Sequence, residues 1–157
     1  MLIKGCIAED FTNYKKTSMF IIFPTCDFKC DKENGVQLCQ NWTLSKQPTQ
    51  EVSVESLVNL YINNSITHAV VCGGLEPFKS FVDLIELVKQ LRNKTDDDIV
   101  IFTGYYEDEI AAQLEQLKLY KNIIVKFGRF IPNQEKHFDE VLGVYLASNN
   151  QYAKKIS

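Results

Sequence analysis

Long apolar runs are missing from this 157-residue chain, and none approaches the roughly 20 residues a helix needs to cross a bilayer. A membrane is therefore not an expected partner. Basic charge is also in short supply. The 17 Lys and Arg against 20 Asp and Glu leave a net charge of -3, which gives no footprint for nucleic acid. The N-terminal Met1-Leu2-Ile3-Lys4-Gly5-Cys6 lacks the apolar stretch of a secretory signal, so a cytoplasmic location is expected. Five cysteines are an odd count. Without an export signal they fit a reducing compartment and argue against a disulfide framework. The Asn-x-Ser/Thr matches at Asn41, Asn63 and Asn93 are then read as chance. No His/Asp or Ser/His constellation suggests a general base or an activated hydroxyl.

With 45% hydrophobic residues the chain is long enough to bury a substantial core, and it reads as one domain over residues 1–157. Three of its five cysteines fall between Cys26 and Asn41, directly after the apolar run Met19-Phe20-Ile21-Ile22-Phe23-Pro24. Thiolates are soft ligands that favour iron-sulfur clusters, zinc or copper(I). Structural zinc is nearly always held by four protein ligands. Three cysteines on a four-iron cluster instead leave one iron free to bind a small molecule.

Taken in order, Leu2–Ile7 reads as an edge strand and Ser18–Pro24 as a strand covered on both faces. Val54, Leu57, Val58, Tyr61 and Ile62 repeat at helical spacing, with Ser53 placed as N-cap. A second strand, Ile66–Cys72, runs into Gly73-Gly74-Leu75-Glu76-Pro77, and Phe81, Leu84, Ile85, Val88 and Leu91 mark one face of a second helix. Asp96-Asp97-Asp98 reads as a solvated turn before a strand at Ile99–Phe102. A helix over Glu107–Leu119, a strand at Asn122–Val125 and a last strand at Val141–Leu146 follow, and the polar tail from Ala147 is placed outside the core. Alternating strands and helices imply a parallel sheet with ligands bound beyond the strands' C-terminal ends. A closed eight-unit barrel needs about 250 residues. The expected fold is therefore a partial, open parallel β/α barrel of about five strand-helix units. In it the cysteine loop, the Gly-Gly turn, Thr103-Gly104-Tyr105, Lys126–Arg129 and Ala147–Asn149 converge on one mouth. There Lys126 and Arg129 are available to bind a carboxylate or a partner's acidic face.

Cys26-Asp27-Phe28-Lys29-Cys30 followed by Leu38-Cys39-Gln40-Asn41 resembles the cluster loop of the radical S-adenosylmethionine enzymes. In that family three residues separate the first two cysteines and two the last pair, with an apolar residue before the third. The first spacing matches, and Leu38 stands in the apolar position. Cys30 and Cys39, however, are separated by eight residues, Asp31 to Leu38. Asn34-Gly35 within this insert is a tight-turn signal that can return Cys39 to the site. Gly73-Gly74-Leu75-Glu76-Pro77 is similar to the family's Gly-Gly-Glu-Pro turn with one residue added. Ile101–Tyr105, Lys126–Phe130, Leu142-Gly143 and Ser148–Gln151 are similar to segments of the activating proteins of anaerobic ribonucleotide reductases. Asp10–Tyr14 stands where such activators carry a Gly-Pro-Gly stretch.

The resemblance implies Cys26, Cys30 and Cys39 as ligands of a 4Fe-4S cluster, with no catalytic residue beyond them. It further implies S-adenosylmethionine held near Gly73, Gly74, Glu76, Thr103 and Lys126, and Phe28 and Leu38 as shields against solvent. An external reductant such as flavodoxin or ferredoxin would supply the electron that cleaves S-adenosylmethionine, and the protein substrate would be a glycyl radical enzyme. Two other readings stay open. One is a non-catalytic metal protein, either an electron carrier or a zinc module completed by His68, His137 or another cysteine. The other is a radical enzyme acting on a small molecule or peptide. Cys6 and Cys72 are assigned to the core.

Overall fold

The computed structural model describes residues 1–157. The elements in chain order are β1 (Leu2–Ile3), β2 (Gly5–Asp10), β3 (Ser18–Ile22), α1 (Lys29–Asn34), α2 (Trp42–Ser45), β4 (Gln50–Glu51), α3 (Val54–Ile62), β5 (Ala69–Gly73), α4 (Phe81–Arg92), β6 (Asp98–Phe102), α5 (Ala111–Leu117), β7 (Ile123–Phe127), β8 (His137–Asp139), β9 (Val144–Leu146) and β10 (Tyr152–Lys155). Short 3-10 turns at Pro77–Ser80 and Glu107–Ile110 lead into α4 and α5. No helix is long and apolar enough to cross a membrane.

The near-continuous apolar runs become the central strands, because a strand covered on both faces has no solvent side to fill with polar residues. β3, β5, β6 and β7 pair in parallel in that order. Their register aligns Met19, Val70, Ile99 and Ile123 in one row and Ile21, Cys72, Ile101 and Val125 in the next. Both rows join a core with Leu57, Val58 and Tyr61 of α3, Leu84, Leu87, Val88 and Leu91 of α4, and Leu114 and Leu117 of α5. Burying each such side chain contributes about 1.5–3 kcal/mol. Ser53 caps α3 as its position implied, accepting the Ser56 amide at 3.0 Å.

The opposite face carries a smaller core, with Ala69, Val71, Val100 and Ile124 packed against Tyr14, Leu142 and Leu146. No helix covers it, and this overturns the expected partial β/α barrel. The chain forms a six-stranded mixed sheet of order β10-β7-β6-β5-β3-β2, with antiparallel strands at both edges. The apolar run at Val141–Leu146 leaves the sheet and becomes one arm of the β8-β9 hairpin over the second face. The edge position beside β7 goes instead to the polar tail, Tyr152–Lys155, which runs antiparallel to it. Parallel strand addition therefore stops at four strands. Nor does the tail lie outside the core. Ser148 and Gln151 are buried, with the Gln151 carboxamide accepting the Ala147 and Ser148 amides and donating to the Gly128 carbonyl. The acidic turn is narrower than read: Asp98 begins β6, taking the Tyr14 hydroxyl and the Lys16 ammonium, while Asp97 takes the Tyr61 hydroxyl.

Candidate metal and small-molecule site

The cysteine loop leaves the C-terminal end of β3, where the Phe23 amide still donates to the Gly73 carbonyl at 2.8 Å. Phe28 adopts the left-handed conformation (φ 54°) and starts α1, and Gly35 ends it in the same region (φ 69°). Such an ending favours glycine, which bears no Cβ to clash. The Asn34-Gly35 signal thus marks a helix end. Beyond it the chain doubles back, and one carboxylate oxygen of Asp31 accepts the amides of Leu38 (2.8 Å) and Cys39 (2.7 Å). The Asn41 side chain then donates to the Gly74 carbonyl at 2.6 Å, fastening the loop to the glycine turn. Phe28 lies edge-on to Trp42, ring centres 4.9 Å apart.

A polar clasp secures the other side of the loop. The Tyr105 hydroxyl donates to Asp27 at 2.5 Å. Glu109 pairs with Lys29 at 2.7 Å and with Arg129 at 2.5 Å, and Glu33 stands 3.0 Å from the Arg129 Nε. Arg129 is therefore committed inside the fold rather than offered at the mouth.

These loops enclose a cavity of about 450 Å³. Its wall includes Cys26, Cys30, Cys39, Gly74, Glu76, Thr103 and Lys126, with Gln40, Asn41, Gly104, Gly128, Ala147 and Gln151 around them. All five segments that were expected to converge do reach it. Gly73, Phe28 and Leu38 do not line it; the Gly73 carbonyl is occupied by the Phe23 and Leu75 amides. At Gly74 the backbone is left-handed (φ 80°), and an added Cβ would lie 2.5 Å from Ile22 Cγ2. The second glycine is thus required by backbone shape as well as by contact with the cavity.

Burial pushes the Cys26 thiol up to about 12 and raises those of Cys30 and Cys39. Backbone amides at Phe28, Phe130 and Asn41 oppose the rise at Cys26, Cys30 and Cys39 in turn. A metal centre held by these thiols would have to displace their protons. At Cys26 the Phe28 amide donates to the sulfur at 3.3 Å, a contact of the kind that tunes iron-sulfur potentials. The donor set suits a cluster. A zinc ion would need its sulfurs about 2.3 Å from one centre, whereas a cluster spreads its thiolates over separate irons. His68 is exposed and precedes β5, at the end of the parallel sheet remote from the cysteine loop. Cys72 is fully buried in the core as expected, and Cys6 packs half-buried against it.

Glu76 is 4% exposed. Its carboxylate accepts the Thr103 hydroxyl (2.8 Å) and the amides of Gly104 (2.9 Å) and Phe78 (3.1 Å). Burial raises its pKa to about 7 against the pull of these donors. Lys126 is 8% exposed and donates to the Gly128 carbonyl at 3.0 Å. Burial lowers it to about 8, with Cys30 and Glu76 opposing. Sequence reasoning had marked both, but it missed Asp31, Asn41 and the Glu109 clasp. Their side chains act across 7 to 80 residues of chain, which local pattern does not register.

Three half-buried thiols at the C-terminal edge of the parallel strands, on the wall of a cavity lined by both polar and apolar side chains, form a donor set of the kind that suits a soft metal centre. The chain belongs to the family described as the 4Fe-4S single cluster domain, whose model matches residues 5–152. It is an iron-sulfur protein. No curated protein and no solved structure gives a significant match.

Proposed function

We propose that this protein is a radical S-adenosylmethionine enzyme that generates a glycyl radical on a partner, an anaerobic ribonucleotide reductase. The observation that carries the reading is the shared wall. The three thiols face a cavity of about 450 Å³ that also holds Gly74, Glu76, Thr103 and Lys126. That volume falls within the range of small-molecule sites, roughly 300–1,000 Å³. An electron carrier needs no such space, since its cluster only exchanges electrons across the surface.

Cys26, Cys30 and Cys39 are the cluster ligands in this reading. Held by these thiolates, a reduced 4Fe-4S cluster would supply the electron for reductive cleavage of S-adenosylmethionine. The protein's own part is positional. Gly74 lets backbone approach the ligand, and Lys126 presents a buried cation to the methionine carboxylate. Glu76, tied to Thr103 and Gly104, fixes the turn and keeps a carboxylate near the amino group. The cysteine loop and its clasp limit entry of water. The choice of partner rests on the likeness of Ile101–Tyr105, Lys126–Phe130 and Ser148–Gln151 to activating proteins.

The test is anaerobic reconstitution with iron and sulfide, reduction with dithionite and addition of S-adenosylmethionine, with iron and 5'-deoxyadenosine assayed together. About four irons per chain and 5'-deoxyadenosine formation are expected, both lost on changing Cys26, Cys30 or Cys39 to Ala. Adding the reductase should then give a glycyl radical signal by electron paramagnetic resonance. A reduced cluster that leaves S-adenosylmethionine intact would move the protein to the electron carriers.

A further inference from the structure

The long spacing between Cys30 and Cys39 poses a physical problem. Eight intervening residues leave the third thiol far more freedom than a two-residue spacer would, and a loosely held ligand loses its advantage to conformational entropy. The chain removes part of that freedom through α1, which takes up Lys29–Asn34. What remains, Gly35 to Leu38, has no regular structure. One side chain bridges it: the Asp31 oxygen that accepts both the Leu38 and Cys39 amides.

Resting on the ligand set proposed above, we propose that Asp31 is the positioning residue for the third cysteine, replacing the short spacer with a side-chain clamp. Asp31 follows Cys30 directly, so the clamp ties the second ligand's helix to the third ligand's backbone. An acidic residue in a first helical turn is ordinary, since it favours the helix dipole. Here, however, the same oxygen meets two amides beyond the helix end, at 2.8 and 2.7 Å, and one belongs to the cysteine itself. Asn34 adds a smaller restraint by donating to the Cys30 carbonyl at 2.7 Å.

The test compares Asp31→Ala, Asp31→Asn and a Lys32→Ala control on the same turn. Ala is the best helix former, so α1 is not placed at risk. In the metal-free chain, hydrogen exchange at the Leu38 and Cys39 amides should quicken about ten- to a hundred-fold in Asp31→Ala, the range for losing a hydrogen bond to a charged acceptor. After reconstitution, Asp31→Ala should retain less than about half the wild-type iron, and its reduced cluster should show a weakened, broadened paramagnetic signal. Asp31→Asn keeps an accepting oxygen and should restore both, while Lys32→Ala should match wild type. Unchanged exchange in Asp31→Ala, or iron and signal equal to wild type, would overturn the clamp. Should wild type take up no iron, the ligand reading falls by itself. The exchange contrast then still decides whether Asp31 holds Cys39.

Discussion

Glu76 gives the sharpest test of the site's electrostatics. Its carboxylate is buried at 4% exposure, and its pKa rises from an ordinary 4.5 to about 7, with desolvation outweighing the Gly104, Thr103 and Phe78 donors. The folded chain then holds this proton more tightly than the unfolded chain. The stabilisation is fully present below about pH 4.5 and is lost as pH rises through about 7. At ~1.4 kcal/mol per unit, the shift is worth about 3 kcal/mol. Glu76→Gln cannot titrate, and its amide nitrogen must face either the Gly104 amide or the Thr103 and Phe78 donors. One buried donor is left unpaired, at about 1–3 kcal/mol. Urea unfolding of the metal-free chain should therefore find wild type more stable than the variant by about that amount at pH 5, with the gap closing or reversing by pH 8. The other shifted groups near Glu76 are Lys126, at about 8, and Cys26 and Tyr105, both raised. They titrate above most of this window. A gap that stays constant from pH 5 to 8 would refute the reasoning.

Gly74→Ala should cost about 2–5 kcal/mol, combining the left-handed backbone with the overlap on Ile22. Adding Ile22→Ala should recover only the packing share, so additive losses in urea melts would contradict the overlap. Lys126→Met removes a buried charge whose desolvation outweighs its neighbours. It should stabilise the metal-free chain by about 1–3 kcal/mol at pH 7 while weakening S-adenosylmethionine binding by equilibrium dialysis; a lower melting temperature would show that its hydrogen bond to Gly128 matters more. The Arg129 hydrogen bond, aided by Lys29, depresses Glu109 to about 2. Its stabilisation is present above about pH 4.5 and is lost as pH falls through about 2. With the side chain 22% exposed, Glu109→Gln should cost only about 1–2 kcal/mol at neutral pH. Acid unfolding followed by circular dichroism should show the two proteins converging toward pH 2, and parallel curves would dismiss the clasp.

The sequence by itself determined what depends on near neighbours. Continuous apolar runs marked β3, β5, β6 and β7, because burial on both faces leaves no polar alternation to read. Helical spacing marked α3 and α4, and the two paired signals, cysteines after one strand and glycines after the next, placed the site at the strands' C-terminal edge. The tertiary structure alone decided the rest. Val141–Leu146 is as apolar as a sheet strand, but apolarity requires burial without saying which surface provides it. Only the bare second face of the sheet made it a hairpin cover. Tyr152–Lys155 is polar, yet it becomes an edge strand, since ladder bonds use backbone groups that every residue but proline carries. Asp31 looked like one more charge in an insert; its meaning depends on two amides seven and eight residues away, brought to it only when the chain turns back at Gly35.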